Sequence, residues 1–147
     1  MALLPFKAWH VAPRIAAGAL ILNSGLDKRD PDPETAAALH GMAATAYPPV
    51  RSVDPQSFVG SLSKGEVALG AALLTPLVPT GVAAAALTAF SAGLLGLYAR
   101  VPGMREEGSV KPTQQGLTVA KDVWLLGIGA GLLTDVLLRR RAERADD

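Results

Sequence analysis

The feature that most constrains this chain is an uncharged run of 33 residues, from Val67 to Ala99, which contains no Asp, Glu, Lys or Arg. A single membrane-spanning helix needs only about 20 predominantly apolar residues. The segment PLVPTG at 76–81 interrupts the run with strong turn-forming residues. We therefore predict two membrane spans, at 58–78 and 80–99, joined by a tight hairpin.

Two weaker apolar segments flank this hairpin, at 9–26 and 117–138. Their uncharged cores, 15–26 and 123–134, are 12 residues each, which alone would suit a buried helix of a soluble protein. Because they lie beside two stronger spans, we interpret both segments as membrane helices. The charges near their ends would form ion pairs or extend to the membrane interface. The predicted fold is all-α: one membrane domain over 1–147, a bundle of four transmembrane helices, with a cytoplasmic tail at 139–147.

The connection between the first two spans predicts a further short helix. The sequence Asp32-Pro33-Glu34 is a favourable helix start. Apolar residues then recur at helical spacing, at Leu39, Met42, Ala43, Ala46 and Tyr47. We expect this segment to lie at the membrane surface, as an interfacial helix in the first outer loop.

The two ends of the chain predict its location and orientation. The segment ALILNSGLDKR lacks a small-x-small cleavage site after its apolar part, so we expect the N-terminal segment to be retained as the first span. The basic sequence RRRAER follows the last span directly, which indicates that this end is cytoplasmic. Four spans then place both termini in the cytoplasm, with a multi-pass protein in the plasma membrane.

Composition excludes several classes of function. The chain has no cysteine, so it has no disulfide, thiol catalysis or cysteine-ligated metal centre. Its net charge is only +1, and no stretch interleaves basic and aromatic residues, so we expect no nucleic-acid partner. We find no catalytic triad, phosphate-binding loop, dinucleotide fingerprint or metal-ligand spacing, and so predict no catalytic residue and no metal-bound or covalently bound cofactor.

Two charges of opposite sign lie at similar depth near the predicted cytoplasmic side. Arg14 lies about one turn inside the first span, and Asp135 lies about one turn inside the fourth. A lone charge in hydrocarbon costs several kcal/mol, about 2.5–3.5 on insertion scales. We therefore predict a structural ion pair between Arg14 and Asp135. The alternatives are a proton or ligand path and simple snorkelling of each side chain.

The opposite, outer ends of the four spans share a second concentration of charge. Asn23 and Ser24 lie just below it. It is either a collar of interfacial salt bridges or a polar pocket that binds a lipid head group, a quinone ring or the loop of a partner protein. Glu66 and Lys121 lie deepest relative to their apolar runs. The predicted outer charge cluster, which is our candidate ligand- or partner-binding site, consists of Asp27, Lys28, Lys64, Glu66, Arg100, Lys121 and Asp122.

Glycines at helical spacing predict close helix packing. Gly127 and Gly131 are four residues apart on the fourth span, and Gly18 and Gly25 share one face of the first. Small residues at such spacing let two helix backbones approach closely. We predict that all four pack within the bundle, with dimerisation as the alternative.

Three segments together resemble a known family. They are RIAAGALILNSGLDK in the first span, KGEVALGAALLTPLVP in the second and KDVWLLGIGAGLL in the fourth. Over about half the chain, this pattern resembles the DoxX family of small four-helix membrane proteins from bacteria and archaea. The resemblance is carried by Arg14, Lys28, Glu66, Lys121 and Asp122. It implies an accessory membrane subunit associated with a quinone-linked oxidoreductase, with an oxidative-stress complex or with the assembly of other membrane proteins.

These observations leave two hypotheses for function. The first is a non-catalytic membrane subunit that anchors or stabilises a larger respiratory or redox complex, with other membrane-protein subunits and the lipid bilayer as partners. The second is a stand-alone protein that binds a quinone or lipid at the outer ends of its helices. A transporter is disfavoured because the four spans show no pair of broken helices, and a soluble helical protein is disfavoured by the uncharged run.

Overall fold

A computed structural model describes residues 7–145 of the chain. Within that range the protein is all-helical and contains no β-strand. Residues 1–6 of the predicted single domain, and the last two residues of the predicted tail, lie outside the described range. The helices are α1 (Ala8–Asp27), α2 (Pro33–Ala46), α3 (Pro55–Leu74), α4 (Thr80–Arg100), α5 (Leu117–Ala120) and α6 (Val123–Ala145), with a 3-10 helix at Pro48–Ser52.

The bounds of α1 and α4 lie within one residue of the predicted 9–26 and 80–99, but those of α3 differ from the predicted 58–78. The helix ends at Leu74 because Thr75 precedes a proline and has an extended backbone, with φ −83° and ψ 137°. The predicted fourth span is divided into α5 and α6, with Lys121 and Asp122 between the two helices.

The starts of α2 and α3 show why these helices begin where they do. Asp32 and Asp54 are the N-cap residues, each followed by a proline at the first helical position. Asp54 accepts a hydrogen bond from the Ser57 backbone at 2.9 Å. That hydrogen bond holds the pKa of the Asp54 carboxyl below its ordinary value of 3.8. The Thr35 backbone lowers the pKa of Asp32 in the same way.

The four long helices pack mainly as two antiparallel pairs, α1 with α3 and α4 with α6. Their shared core consists of Ala17, Ile21, Leu69, Leu73, Ala83, Leu87 and Leu125. The contact between α3 and α4, which are consecutive along the chain, is much smaller. A groove therefore remains between the two pairs on the α3–α4 side.

Glycines set the closest approach of α1 to α3. A Cβ on Gly25 would lie 2.8 Å from the Val67 nitrogen, and one on Gly70 would lie 2.6 Å from the Leu22 nitrogen. Gly18 lies against Leu73 and Leu74 in the same contact. Any larger residue at Gly25 or Gly70 would push the two helix backbones apart.

Gly127 and Gly131 do not pack against another helix inside this bundle, so that prediction is wrong. A Cβ on either residue would meet nothing within 4 Å among the described residues. The glycine at the α4–α6 contact is Gly129, where a Cβ would lie 2.9 Å from the Thr88 nitrogen. The physical reason is helix phase: α6 buries Leu125, Gly129 and Leu132 against α4, and positions 127 and 131 lie on the opposite face.

Helix α2 lies against one end of α3 and α4, and the 3-10 helix packs on α2. The buried residues of α2 are all alanines, at 36, 43, 44 and 46, so it packs closely on α3. Tyr47 inserts its ring beside Gly96 of α4, where no Cβ would fit. Its hydroxyl donates a hydrogen bond of 2.7 Å to the Gly93 carbonyl.

Two helical segments, Thr80–Arg100 and Leu117–Ala145, are long and apolar enough to cross a membrane. Only 22% and 17% of the residues in their most apolar windows are buried within the protein. The core helix of a soluble protein would be mostly buried. Most residues of these two windows are therefore not buried within the described part of the protein.

Candidate functional site

The candidate site is built around a buried ion pair between the end of α1 and the middle of α3. The Nζ atom of Lys28 lies 3.0 Å from Oε2 of Glu66. Lys28 also donates hydrogen bonds to the backbone carbonyl and the hydroxyl of Ser24. Glu66 is only 3% exposed. The pair exists because Gly25 brings α1 close enough to α3 for a side chain at the helix end to reach inward.

A second acid lies near the pair at the start of α6, with no hydrogen bond or ion pair to it among the described residues. Asp122 is half-buried and interacts electrostatically with both Glu66 and Lys28. Three elements that are far apart in sequence therefore contribute one charged group each.

The other four members of the predicted outer charge cluster do not join this site. Arg100 donates a hydrogen bond to the Ala46 carbonyl, at the end of α2, and its guanidinium lies 5.2 Å from the centre of the Tyr47 ring. The other three, Asp27, Lys64 and Lys121, are exposed. Of the two residues predicted to lie deepest, Glu66 is buried and Lys121 is not.

An apolar groove of about 530 Å³ runs along the α3–α4 side of the molecule. Glu66 lines it and is the only Asp, Glu, Lys or Arg among its lining residues. The other walls include Ser61, Gly65 and Ala68 from α3, and Val82 and Phe90 from α4. A site that is mostly apolar with few polar groups is the usual form of a small-molecule pocket. A second cavity of about 520 Å³ lies in the loop after α4, but it contains no buried acid.

The opposite end of the bundle is organised by Arg14, which is 3% exposed. Its guanidinium donates to the backbone carbonyls of Ala72, Leu73, Thr75 and Val78, at distances of 2.8 to 3.1 Å. It also donates to the Thr80 hydroxyl at 3.0 Å. Arg14 thus satisfies the free carbonyls at the end of α3 and ties the α3–α4 hairpin to α1.

The structure gives Asp135 partners other than the predicted Arg14. Asp135 lies 2.9 Å from the Nε2 atom of His10 and 2.8 Å from the Nε atom of Arg139. Contacts described for these residues include no ion pair between Arg14 and Asp135. The physical reason is that the carbonyls at the end of α3 occupy Arg14, while Arg139 lies one turn from Asp135 on the same helix.

Sequence reasoning missed His10, which is buried and joins α1 to α6. Its Nδ1 accepts a hydrogen bond of 3.3 Å from the Lys7 backbone, so the proton that the ring donates to Asp135, at 2.9 Å, is on Nε2. The signal was present in the sequence: His10 precedes Arg14 by four residues and therefore shares its inward-facing side of α1. Within the described residues, no three His, Cys, Asp or Glu side chains are grouped to hold a metal ion.

Comparison with protein-family models, with curated proteins and with solved structures finds no match to this chain.

Proposed function

We propose that this chain is a non-catalytic, multi-pass subunit of the bacterial plasma membrane that anchors or stabilises a larger membrane complex. In this proposal α1 and α3 join α4 and α6 as membrane spans. Each has 20 residues, which is about 30 Å of helix. Arginines cluster at the end of α6, at 139, 140, 141 and 144, and support cytoplasmic termini through the positive-inside rule.

The observation that carries the proposal is the outward face of α6. Val123, Gly127, Gly131 and Leu138 are exposed there and lie close together in helix phase. Gly127 and Gly131 have open space around them within the described residues. A membrane helix of another subunit would approach closely at such a face, because small residues at four-residue spacing permit extensive backbone contact.

The class of complex follows from the resemblance to the DoxX family. Two of the residues that carry it, Lys28 and Glu66, form an ion pair, and a third, Asp122, interacts electrostatically with both. The resemblance supports a respiratory or redox complex linked to quinone as the partner. Any redox centre would then belong to another subunit.

The test is co-purification from the native host in a mild detergent, using a C-terminal tag, followed by mass spectrometry and an absorption spectrum. The protein with its own sequence should bring down a stoichiometric membrane partner that carries flavin or haem. Gly127→Leu and Gly131→Leu should release that partner. Gly60→Leu is the matched control, because Gly60 of α3 also has open space but lies away from α6. A protein that purifies alone would refute the subunit role.

A second candidate is a stand-alone membrane protein that binds a quinone or lipid. The groove beside Glu66 favours it, since it offers an apolar wall with one acidic group. Organic extraction of the purified protein, followed by lipid and quinone analysis, separates this candidate from the first. A stoichiometric small molecule without a protein partner would favour it over the subunit role.

A further inference from the structure

The α3–α4 groove has exposed walls of small residues above a buried floor. Its exposed lining residues on α3 are Ser61, Gly65 and Ala68, and a Cβ on Gly65 would meet nothing within 4 Å of the described residues. Small residues at three- and four-residue spacing let a second helix approach the backbone closely, whereas small-molecule sites are lined mainly by hydrophobic and aromatic side chains. The walls of this groove therefore favour a helix as its occupant.

The length of the groove also suits a helix. Along α4 its lining extends from Val82 to Phe90, a rise of about 12 Å, or roughly two helical turns. Phe90 is the only aromatic residue in the lining, and it is only partly buried. A helix that lies close in the groove must therefore present a small residue at the level of the Phe90 ring.

The packing of α6 on α4 shows which residues of α6 lie at that level. A Cβ on Gly129 would lie 2.9 Å from the Thr88 nitrogen, and a Cβ on Gly81 would lie 3.2 Å from Cγ1 of Val136. These two contacts define one antiparallel register, because the step from 129 to 136 along α6 is as long as the step from 88 to 81 along α4.

This register sets the level of the two exposed glycines of α6. Gly127 is level with Phe90, and Gly131 is level with Ala86, which also lines the groove. Copies of one membrane protein that are inserted in the same orientation lie at the same depth. In a neighbouring copy, Gly127 therefore lies at the depth where the Phe90 ring requires a small residue, and Gly131 lies at the depth of the exposed Ala86.

We propose that α6 of a second copy of this chain lies in the α3–α4 groove, in a head-to-tail contact between two copies in the membrane. Gly127 packs on the Phe90 ring, and Gly131 packs on Ala86. The contact joins two different surfaces and is therefore heterologous, so in a dimer one copy keeps a free α6 face for the partner subunit. The inference rests on the proposed function for membrane insertion and orientation, and goes beyond it by naming a second copy as the occupant of the groove.

Disulfide cross-linking in native membranes tests this contact, because the chain has no cysteine of its own. Two full-length chains with different tags are co-expressed, one with Ala86→Cys and the other with Gly131→Cys, and are oxidised with copper phenanthroline. A disulfide requires Cα atoms within about 7 Å of each other, so this pair should give a dimer that carries both tags. Ala85→Cys with Gly131→Cys is the matched control. Ala85 is exposed but does not line the groove, and its pair should cross-link at least about tenfold less.

Two further variants separate the groove from its surroundings. Gly65→Leu, placed in the chain that carries Ala86→Cys, fills the groove and should lower the cross-linked fraction at least about tenfold. Gly60→Leu makes the same change outside the groove lining and should leave that fraction unchanged. A second pair, Ala68→Cys with Gly131→Cys, reports the contact from the α3 wall and should also cross-link.

The proposal is overturned if neither groove pair cross-links above the control in chains that stay in the membrane fraction after an alkaline carbonate wash. It is also overturned if the cross-link survives Gly65→Leu, or if Gly131→Cys links only to itself, which would indicate a symmetric contact between two α6 helices. Co-purification of the partner subunit is scored separately. A chain that retains that partner without the cross-link overturns the contact between copies and leaves the subunit role intact, whereas the cross-link without a partner does the reverse.

Discussion

The ammonium of Lys28 and the carboxylate of Glu66 lie 3.0 Å apart and join the end of α1 to the middle of α3. The Glu66 side chain is 4% exposed and that of Lys28 is 22% exposed, so the carboxylate is shielded from solvent more than the ammonium. Removing one partner of a buried pair leaves an uncompensated charge, whereas removing both does not. This asymmetry makes the contact testable.

We expect Lys28→Met to lower the free energy of unfolding by about 3 kcal/mol, near the lower end of the range for buried pairs because Lys28 retains some solvent contact. The double variant Lys28→Met with Glu66→Leu should be more stable than Lys28→Met alone. Thermal or denaturant unfolding in detergent measures both. Additive losses would show that the two side chains are not energetically coupled.

Arg14→Lys should destabilise the protein although the charge is retained. A lysine ammonium has three donors and lacks the planar fork with which the guanidinium reaches four carbonyls and the Thr80 hydroxyl. We expect a loss of at least about 2 kcal/mol, since hydrogen bonds to charged groups contribute about 1.5–3 kcal/mol each. Arg139→Lys is the control, because Arg139 is half-exposed and has one acidic partner; an equal loss in both variants would contradict the prediction.

Gly70→Ala and Gly127→Ala should have opposite effects on stability. A methyl group on Gly70 would lie 2.6 Å from the Leu22 backbone nitrogen, so α1 and α3 must separate, at a cost of about 1–3 kcal/mol or more. The same change at Gly127 meets open space and should stabilise the isolated protein slightly through helix propensity, by about 1 kcal/mol at most. Unfolding of the two purified variants decides between them.

The N-cap of α3 should make stability depend on acid pH. The Ser57 backbone hydrogen bond lowers the pKa of Asp54 below 3.8 in the folded protein. The stabilisation is therefore present above the unfolded pKa and is lost as the pH falls through the lower folded pKa. Asp54→Ala should unfold at a lower temperature than the unmodified protein at pH 7, and this difference should shrink below about pH 4. Asp54→Asn keeps an N-cap and should remain close to the unmodified protein at pH 7.

The proposed four-span topology is open to cysteine labelling, because the chain has no cysteine of its own. Single cysteines at Ser52 and Glu107 should react with an impermeant maleimide added to intact cells. A cysteine at Arg144 should react only after permeabilisation. If positions 52 and 144 were labelled from the same side, α3, α4 and α6 could not all cross the membrane.

Several helix ends are set by local sequence signals. The Asp-Pro pairs at 32–33 and 54–55 start helices in the structure, and Pro76 ends α3 through its effect on the preceding residue. Apolar runs with few charges predicted helical segments at the places where α1 and α4 lie. Glu66 was singled out because it lies deep relative to its apolar run, and it is buried in the structure.

What only the tertiary structure decided is which residues meet. Sequence periodicity predicts the face of a helix but not the rotation of that face toward a neighbour, so Gly129 rather than Gly127 or Gly131 lies at the α4–α6 contact. Similar depth in the membrane predicted Arg14 as the partner of Asp135. The side chains that reach Asp135 are instead those of His10 and Arg139. The sequence by itself determined that the chain is helical and that the charged residues within its apolar segments need partners. Packing of α1 on α3 through Gly25 and Gly70 determined the partners, because backbone separation sets which side chains can reach each other.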